Sequence, residues 1–274
     1  MFEEFEKDAF VLTADNYYSK EANTEYMSVS QYKEFAGTYG QHGCEAAALA
    51  EINGEWKPET TTALMVGSYV DAFFEGTLKE FMNEHPEMFK RDGNLKAEFV
   101  RAEEMIARAT RDDLFCKYMS GQKQVIMTGE LFGSKWKIKI DSYIPETAIV
   151  DLKCMASLTE QKWVKDLGYL DFVRYWGYDV QGAVYQEIVY QNTGLRLPFF
   201  IAGISKEKEP NIEIINVTND YLREALSEVE RTLPLVLQAK NGERKPERCE
   251  CCEYCRHTKV LTKPIGISEL AMSL

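Results

Sequence analysis

Residues 137–153, KIKIDSYIPETAIVDLK, alternate apolar and polar side chains on either side of the turn signal Pro145-Glu146. A period of two over so short a span predicts two strands joined by a tight turn. Trp136, Ile138 and Ile140 fall on one face, with Lys137, Lys139 and Asp141 on the other, and Val150 and Leu152 alternate with Asp151 and Lys153 in the same way. Both acids and Lys153 therefore share the polar side, and three charged groups converge at one sheet edge.

The period differs on either side of this stretch. Upstream, Ser28 and Ser30 open a short helix over SVSQYKEF, Cys44 to Ile52 form another that Asn53-Gly54 stops, Thr60 to Thr62 cap a long helix through LMVGSYVDAFFEG, and Leu95 to Arg111 form a fourth. Strands are expected at 124–127, 130–132, 135–141 and 148–152, with Gly129, Gly133-Ser134 and Pro145-Glu146 as turns. Helices at 157–167 and 170–190 follow, then strands at 198–204 and 212–217, and a helix capped by Thr218 that runs to Ala239 with Pro234 as a bend. The order predicts an α/β fold with a mixed central sheet flanked by helices. The expected divisions are an N-terminal helical segment (1–59), a core (60–241) and a Cys-rich tail (242–274).

With 274 residues, 45% of them hydrophobic, the chain has material for a substantial core. The acidic opening MFEEFEKDAF and the lack of any apolar run near the roughly 18 residues of a membrane span point to a cytoplasmic protein with no membrane partner. Net charge is −12, from 32 Lys+Arg against 44 Asp+Glu, which argues against nucleic-acid binding by bulk charge but leaves room for a metal-binding acidic site beside a local basic groove. Cys44, Cys116 and Cys154 are scattered, whereas Cys249, Cys251, Cys252 and Cys255 crowd the tail, a clustering that suggests metal more than disulfides.

Hydrolysis of a phosphodiester needs a charge sink and a deprotonated water, which a divalent ion held by carboxylates supplies. Asp141 followed by Asp151-Leu152-Lys153 has the composition for this. The alternative is an exposed Asp/Lys pair on a strand. Further on, Gln181 and Tyr185, four residues apart, share one helix face, with Arg174 and Tyr178 on the same stripe, placed either to hold a nucleic-acid backbone or as the polar seam of a core helix. Phe172, Trp163 and Trp176 read as core positions on these helices.

Together the strand acids, D-L-K and the following Q-x-x-x-Y resemble the RecB-type branch of the PD-(D/E)xK nuclease superfamily, and within it phage and prophage exonucleases related to exodeoxyribonuclease VIII and, more distantly, lambda exonuclease. The resemblance spans Ser28 to Leu261. It implies a metal-dependent DNA exonuclease that resects duplex ends in phage-type recombination, with a single-strand annealing protein as partner and a closed ring as the assembly. A DNA repair endonuclease or a catalytically idle DNA-binding scaffold are the other readings. The resemblance implies Asp141 and Asp151 as ligands of Mg²⁺ or Mn²⁺, Lys153 orienting water, Glu130 reaching the metal through water, and Gln181, Tyr185 and Arg174 on substrate. Where the family places G-x-x-x-H this chain has Gly67-Ser68-Tyr69-Val70-Asp71, so Asp71 stands in for a histidine ligand; Glu75, one turn on, is an accessory acid or, by preference, a solvated charge. It further implies a [4Fe-4S] cluster on Cys44, Cys249, Cys252 and Cys255, with zinc, drawing on Cys251 or His257, as the alternative and free thiols as the third possibility.

Overall fold

The structure is a computed structural model that describes residues 10–267. In chain order its elements are α1 (Lys20–Glu25), α2 (Val29–Ala36), α3 (Glu45–Asn53), α4 (Thr62–Glu75), α5 (Leu78–Glu84), a 3-10 turn (Pro86–Met88), α6 (Ala97–Thr110) and α7 (Asp113–Tyr118). The strands β1 (Val125–Leu131), β2 (Ser134–Ile140), β3 (Ser142–Ile144) and β4 (Ala148–Met155) follow, then the short pair β5 (Lys162–Val164) and β6 (Gly168–Leu170). After them come α8 (Phe172–Tyr175), α9 (Tyr178–Thr193), β7 (Phe199–Ser205), β8 (Ile212–Val217), α10 (Asn219–Lys240) and α11 (Glu253–His257). No helix of the described residues is long and apolar enough to cross a membrane.

The central sheet has the order β3-β4-β7-β8, and it is mixed: β4 and β7 run parallel, while β3 and β8 pair antiparallel at the edges. Helices cover both faces. Ile149 of β4 and Phe199 and Ile201 of β7 pack with Val184, Ile188 and Leu222 of α9 and α10. Val150 and Leu152 point the other way, into a cluster with Val70, Phe99 and Ile106 of α4 and α6. A strand covered on both faces has no solvent side, so its apolar run is nearly continuous, and Asp151 and Lys153 interrupt it.

The segment before α4 shares this core. Met27 exchanges hydrogen bonds with β2 (Met27 N to Lys135 O, 2.8 Å; Lys137 N to Met27 O, 2.9 Å), and Met27, Tyr32, Phe35 and Ala48 are buried against Trp136 and its neighbours. The ammonium of Lys137, 1% exposed, donates to the Tyr17 carbonyl and to Asn23 Oδ1. Ser28 and Thr61 cap α2 and α4 through their side chains, whereas Thr218 occupies the N-cap of α10 without a side-chain bond; α10 runs unbroken through Pro234.

Three expected elements differ. The strands at 124–127 and 130–132 are one strand, β1, which passes straight through Gly129: the Gln191 side chain occupies the space of a Cβ there and bonds both backbone groups of Glu130. Residues 157–167 form no helix. Asp166 takes a left-handed turn (φ 69°) and closes the β5–β6 hairpin, on which Trp163, expected in the core, is 66% exposed and stacks edge-on with Tyr169. The helix at 170–190 is broken at Gly177, whose φ of 64° ends α8 and starts α9 in a new direction. The short helices α1, α5, α7 and α11 are additional to the expected elements; Ser19 and Asp112 cap α1 and α7 through their side chains.

Gly177 also packs closely: a Cβ on it would lie 2.9 Å from Thr38 Cγ2. A side chain in the left-handed region costs about 1–2 kcal/mol, so Gly177→Ala should lose at least that much stability, read as a lower denaturant midpoint at unchanged slope. A midpoint equal to that of the parent would mean that this break does not constrain α9.

Candidate active site

Asp141 occupies the bend where β2 ends and β3 begins, and its Oδ2 accepts the Leu152 amide at 2.8 Å, stitching that bend to β4. On β4 itself Asp151 is 2% exposed; its Oδ1 accepts from Gln181 Nε2 of α9 at 2.6 Å. The other oxygen, Oδ2, is in ion-pair contact with the Lys153 ammonium, which the period of two places on the same face, yet it accepts no hydrogen bond of regular geometry. Asp71 reaches the same place from α4. These groups, with Gln181, Tyr178 and Tyr185, line one cleft of about 460 Å³.

The electrostatics follow from this crowding. Burial first, then the neighbouring Asp151 charge, holds the Asp141 carboxyl well above the usual range. Burial likewise pushes Asp71 up to about 7; Lys153 opposes the shift, and Asp151 and Glu75 add to it. For Lys153 burial works against the charge, but Asp151 and Asp141 outweigh it and hold the ammonium above the ordinary lysine range, so it stays protonated. Its Nζ also lies 5.2 Å from the centre of the Tyr178 ring.

The structure separates the remaining expected residues. Gln181 and Tyr185 reach the cleft, but their polar groups are engaged with the protein: Gln181 with Asp151, and the Tyr185 hydroxyl donating to the Lys139 carbonyl at 3.0 Å. Arg174 does not join them. The break at Gly177 carries it to another surface, where it pairs with Glu224 at 2.6 Å and stacks on Tyr221. Glu130 is exposed at the far end of β1, opposite Lys135 in the strand register, while the other end, Val125–Ile140, adjoins Asp141; it is not brought to the cleft. The acid beside Asp71 is Glu75, which is half-buried and accepts from Gln124 Nε2 at 2.5 Å, so it is no freely solvated charge. Sequence reasoning missed Lys33, Lys139 and Lys206, which also line the cleft. Only docking of the N-terminal segment brings Lys33 there, and no local pattern announces it. Burial, then Lys153, pushes Lys33 down to about 8.

A second cluster forms away from the cleft. The sulfur atoms of Cys44, Cys249, Cys252 and Cys255 all lie within 4.8 Å of one another; Cys44 to Cys255 is 3.6 Å and Cys249 to Cys255 is 3.9 Å. Cys251 is exposed and outside the cluster, and His257 stacks on Trp56 instead. Backbone amides point at the thiols, Cys252 N to Cys249 Sγ at 3.3 Å and Cys255 N to Cys252 Sγ at 3.4 Å. Burial opposes ionisation of Cys249, but the amides of Cys251 and Cys252 outweigh it and bring the thiol down to about 6. Beside the quartet, Arg244 makes a two-pronged ion pair with Glu45, fastening the tail to the start of α3.

Both donor sets suit metals of different kinds. Three carboxylates, one with an oxygen left without a regular hydrogen bond, are hard donors for Mg²⁺ or Mn²⁺, and four thiols are soft donors for zinc or iron–sulfur.

Residues 28–258 match the model of a family described as a PDDEXK-like domain of unknown function (DUF3799). A crystal structure from Eubacterium rectale, of a protein provisionally designated an exonuclease, is 64% identical, covers 97% of this chain and 100% of its own, and superposes with a TM-score of 0.94. A further solved structure aligns over 75% of this chain and 89% of its own at 15% identity, with a TM-score of 0.30. No curated protein matches. With the family model spanning most of the chain, and the D-x-K strand, the Asp141 bend and a mixed sheet flanked by helices in place, this chain belongs to the PDDEXK-like domain family.

Proposed function

We propose that the chain is a metal-dependent DNA exonuclease that resects one strand at duplex ends. The observation that carries this reading is the convergence of Asp71, Asp141 and Asp151, from three separate elements, on one cleft beside Lys153. Like charges gathered and buried oppose one another's ionisation, and a divalent cation relieves that opposition. The family and the exonuclease designation of the Eubacterium rectale protein support nuclease chemistry.

Asp71, Asp141 and Asp151 would hold Mg²⁺ or Mn²⁺, which when bound neutralises charge developing on a phosphodiester and acidifies a water. Lys153, kept protonated, donates a hydrogen bond that orients the attacking water and stabilises negative charge on the phosphate oxygens. Gln181 and Tyr185 are positioning residues: the first holds Asp151, the second fixes the Lys139 carbonyl two residues before Asp141. A −12 chain has little general attraction for DNA, so sustained digestion calls for retention by a closed ring of subunits, and the single strand left behind suits an annealing protein as partner.

The cysteine quartet supports a metal of its own. Tetrahedral zinc with Zn–S near 2.3 Å sets its sulfurs about 3.8 Å apart, close to the two separations that Cys255 makes with Cys44 and Cys249, whereas a cubane of iron and sulfide holds its ligand sulfurs further apart. We infer zinc here, with the iron–sulfur cluster of the resemblance as the second reading.

Asp151→Asn or Lys153→Met should cut Mg²⁺-dependent cleavage of linear duplex at least about a hundredfold, since losing a ligand or the water-orienting group removes some 3 kcal/mol or more at 1.36 kcal/mol per decade. Near-parental rates with an unchanged circular dichroism spectrum would defeat the assignment.

A pH test follows from Asp71. Because its folded-state value is raised to about 7, the folded metal-free chain keeps a proton that the unfolded chain has already released, so stability falls as pH rises from the ordinary carboxylate range through about 7. Asp71→Asn should flatten that fall in Tm, and Mg²⁺ should raise the Tm of the parent most at its alkaline end. A parent and variant with the same slope would place Asp71 outside the coupled cluster.

Elemental analysis should find one zinc per chain and no absorbance near 400 nm in protein prepared without oxygen. A brown preparation containing iron would reverse the choice, and neither metal would remove both.

A further inference from the structure

The cleft does not end at its carboxylates. Lys206, just beyond β7, lines it and donates to the Ala63 carbonyl in the first turn of α4 at 2.8 Å. Two residues later the β7–β8 loop reaches α6, where Arg101 Nη1 donates to the Lys208 carbonyl at 2.6 Å. Between α6 and this loop a groove of about 630 Å³ opens, lined by Arg101, Arg108, Arg111 and Lys208, with Glu104 and Glu209 among them. Seven and three residues separate the arginines, a spacing that keeps them on one face of α6 or its end, over about 15 Å at 1.5 Å per residue.

These cations are not equivalent. Arg101 is committed to Glu104 at 2.5 Å and to the Lys208 carbonyl. Among the described residues Arg111 bonds only the Ala107 carbonyl of its own helix, at 3.0 Å, and Lys208 is exposed with no ion-pair partner. Arg108 is half-buried, yet its guanidinium donates no hydrogen bond and meets no carboxylate among the described residues. With no carboxylate or carbonyl of the described residues engaging it, the guanidinium keeps its donors open to an anion from outside the chain. On a surface where acids outnumber bases by 44 to 32, it is a local reversal of charge joined by one short loop to the cleft.

We propose that this groove holds the sugar-phosphate backbone of the nucleic acid engaged in the cleft, with Arg108, Arg111 and Lys208 on its phosphates; the proposal rests on the nuclease reading of that cleft. Such contacts position the substrate without reading its sequence. They make affinity salt-dependent, by about 0.9 in the slope of log K against log salt for each phosphate neutralised on a duplex.

The test uses the full-length protein, an Arg108→Gln/Arg111→Gln double variant and a Lys208→Gln variant, the last at an exposed site where folding is not at stake. Affinity for a long fluorescent duplex is measured by anisotropy across a salt series without divalent metal. Hydrolysis of the same duplex and of bis(p-nitrophenyl) phosphate, too small to reach α6, is measured separately with Mg²⁺. The slope should fall by about 1.8 in the double variant and about 0.9 in Lys208→Gln, with duplex cleavage reduced and hydrolysis of the small ester unchanged. Slopes equal to the parent's in both variants would overturn the proposal, including the case in which an acidic protein is the groove's true occupant. If the double variant is misfolded, the Lys208→Gln slope decides alone. A parent that hydrolyses neither substrate defeats the nuclease reading, and the slopes then judge the groove as a nucleic-acid contact independently.

Discussion

Asp151 lies within the strand that β7 pairs in parallel, with helices over both faces and 2% of its surface exposed. An ionised carboxylate in such a place costs several kcal/mol unless a counter-charge and hydrogen bonds meet it. Lys153 supplies the first because two residues along a strand return to the same face, and Gln181 supplies the second from the helix packed across the sheet. Asp-x-Lys is therefore a condition for burying the acid at all. The pair absorbs one negative charge; burial of Asp141 and Asp71, and after it the acidic neighbours that Lys153 cannot balance alone, hold their carboxyls above the usual range.

The supports of this cluster are distributed through the chain. Lys137 gives up its water to hold Tyr17, at the desolvation cost that pushes it down to about 8, and Met27 adds a stretch of backbone to the edge of β2. Tyr17, held by Lys137, and Ser28, next to Met27, line the cleft, so a segment with no charge pattern of its own supplies part of the wall. α4 supplies Asp71 from the opposite face, so the acids are fixed by the core rather than by a loop.

What the sequence made legible was the part governed by short periods. Two strands with an alternating face place Asp141, Asp151 and Lys153 together, four-residue spacing places Gln181 beside Tyr185, and crowded thiols mark Cys249, Cys252 and Cys255 as partners, with Cys44 added by resemblance. Legibility failed wherever a single backbone choice redirected the chain. Gly177 sends Arg174 away from the helix face that spacing assigned to it, Asp166 turns a supposed helix into a hairpin, and Gly129 lets one strand run through what looked like a turn. Glu130 was lost to register, since β1 and β2 bring its opposite end to the bend. Tertiary packing, which no local pattern encodes, decided each of these.

The cysteine quartet joins Cys44 to a partner 211 residues away. One ligand is synthesised early and three late, so the set is incomplete until nearly the whole core has emerged and folded. Each doubling of such a loop adds only about 0.6 kcal/mol to the entropy of closing it, a modest sum beside the packing that α3, α9 and α10 contribute. The quartet is thus the last feature the chain can assemble: a chain stalled before the tail keeps a lone thiol at Cys44 and lacks the Arg244–Glu45 pair that fastens α3.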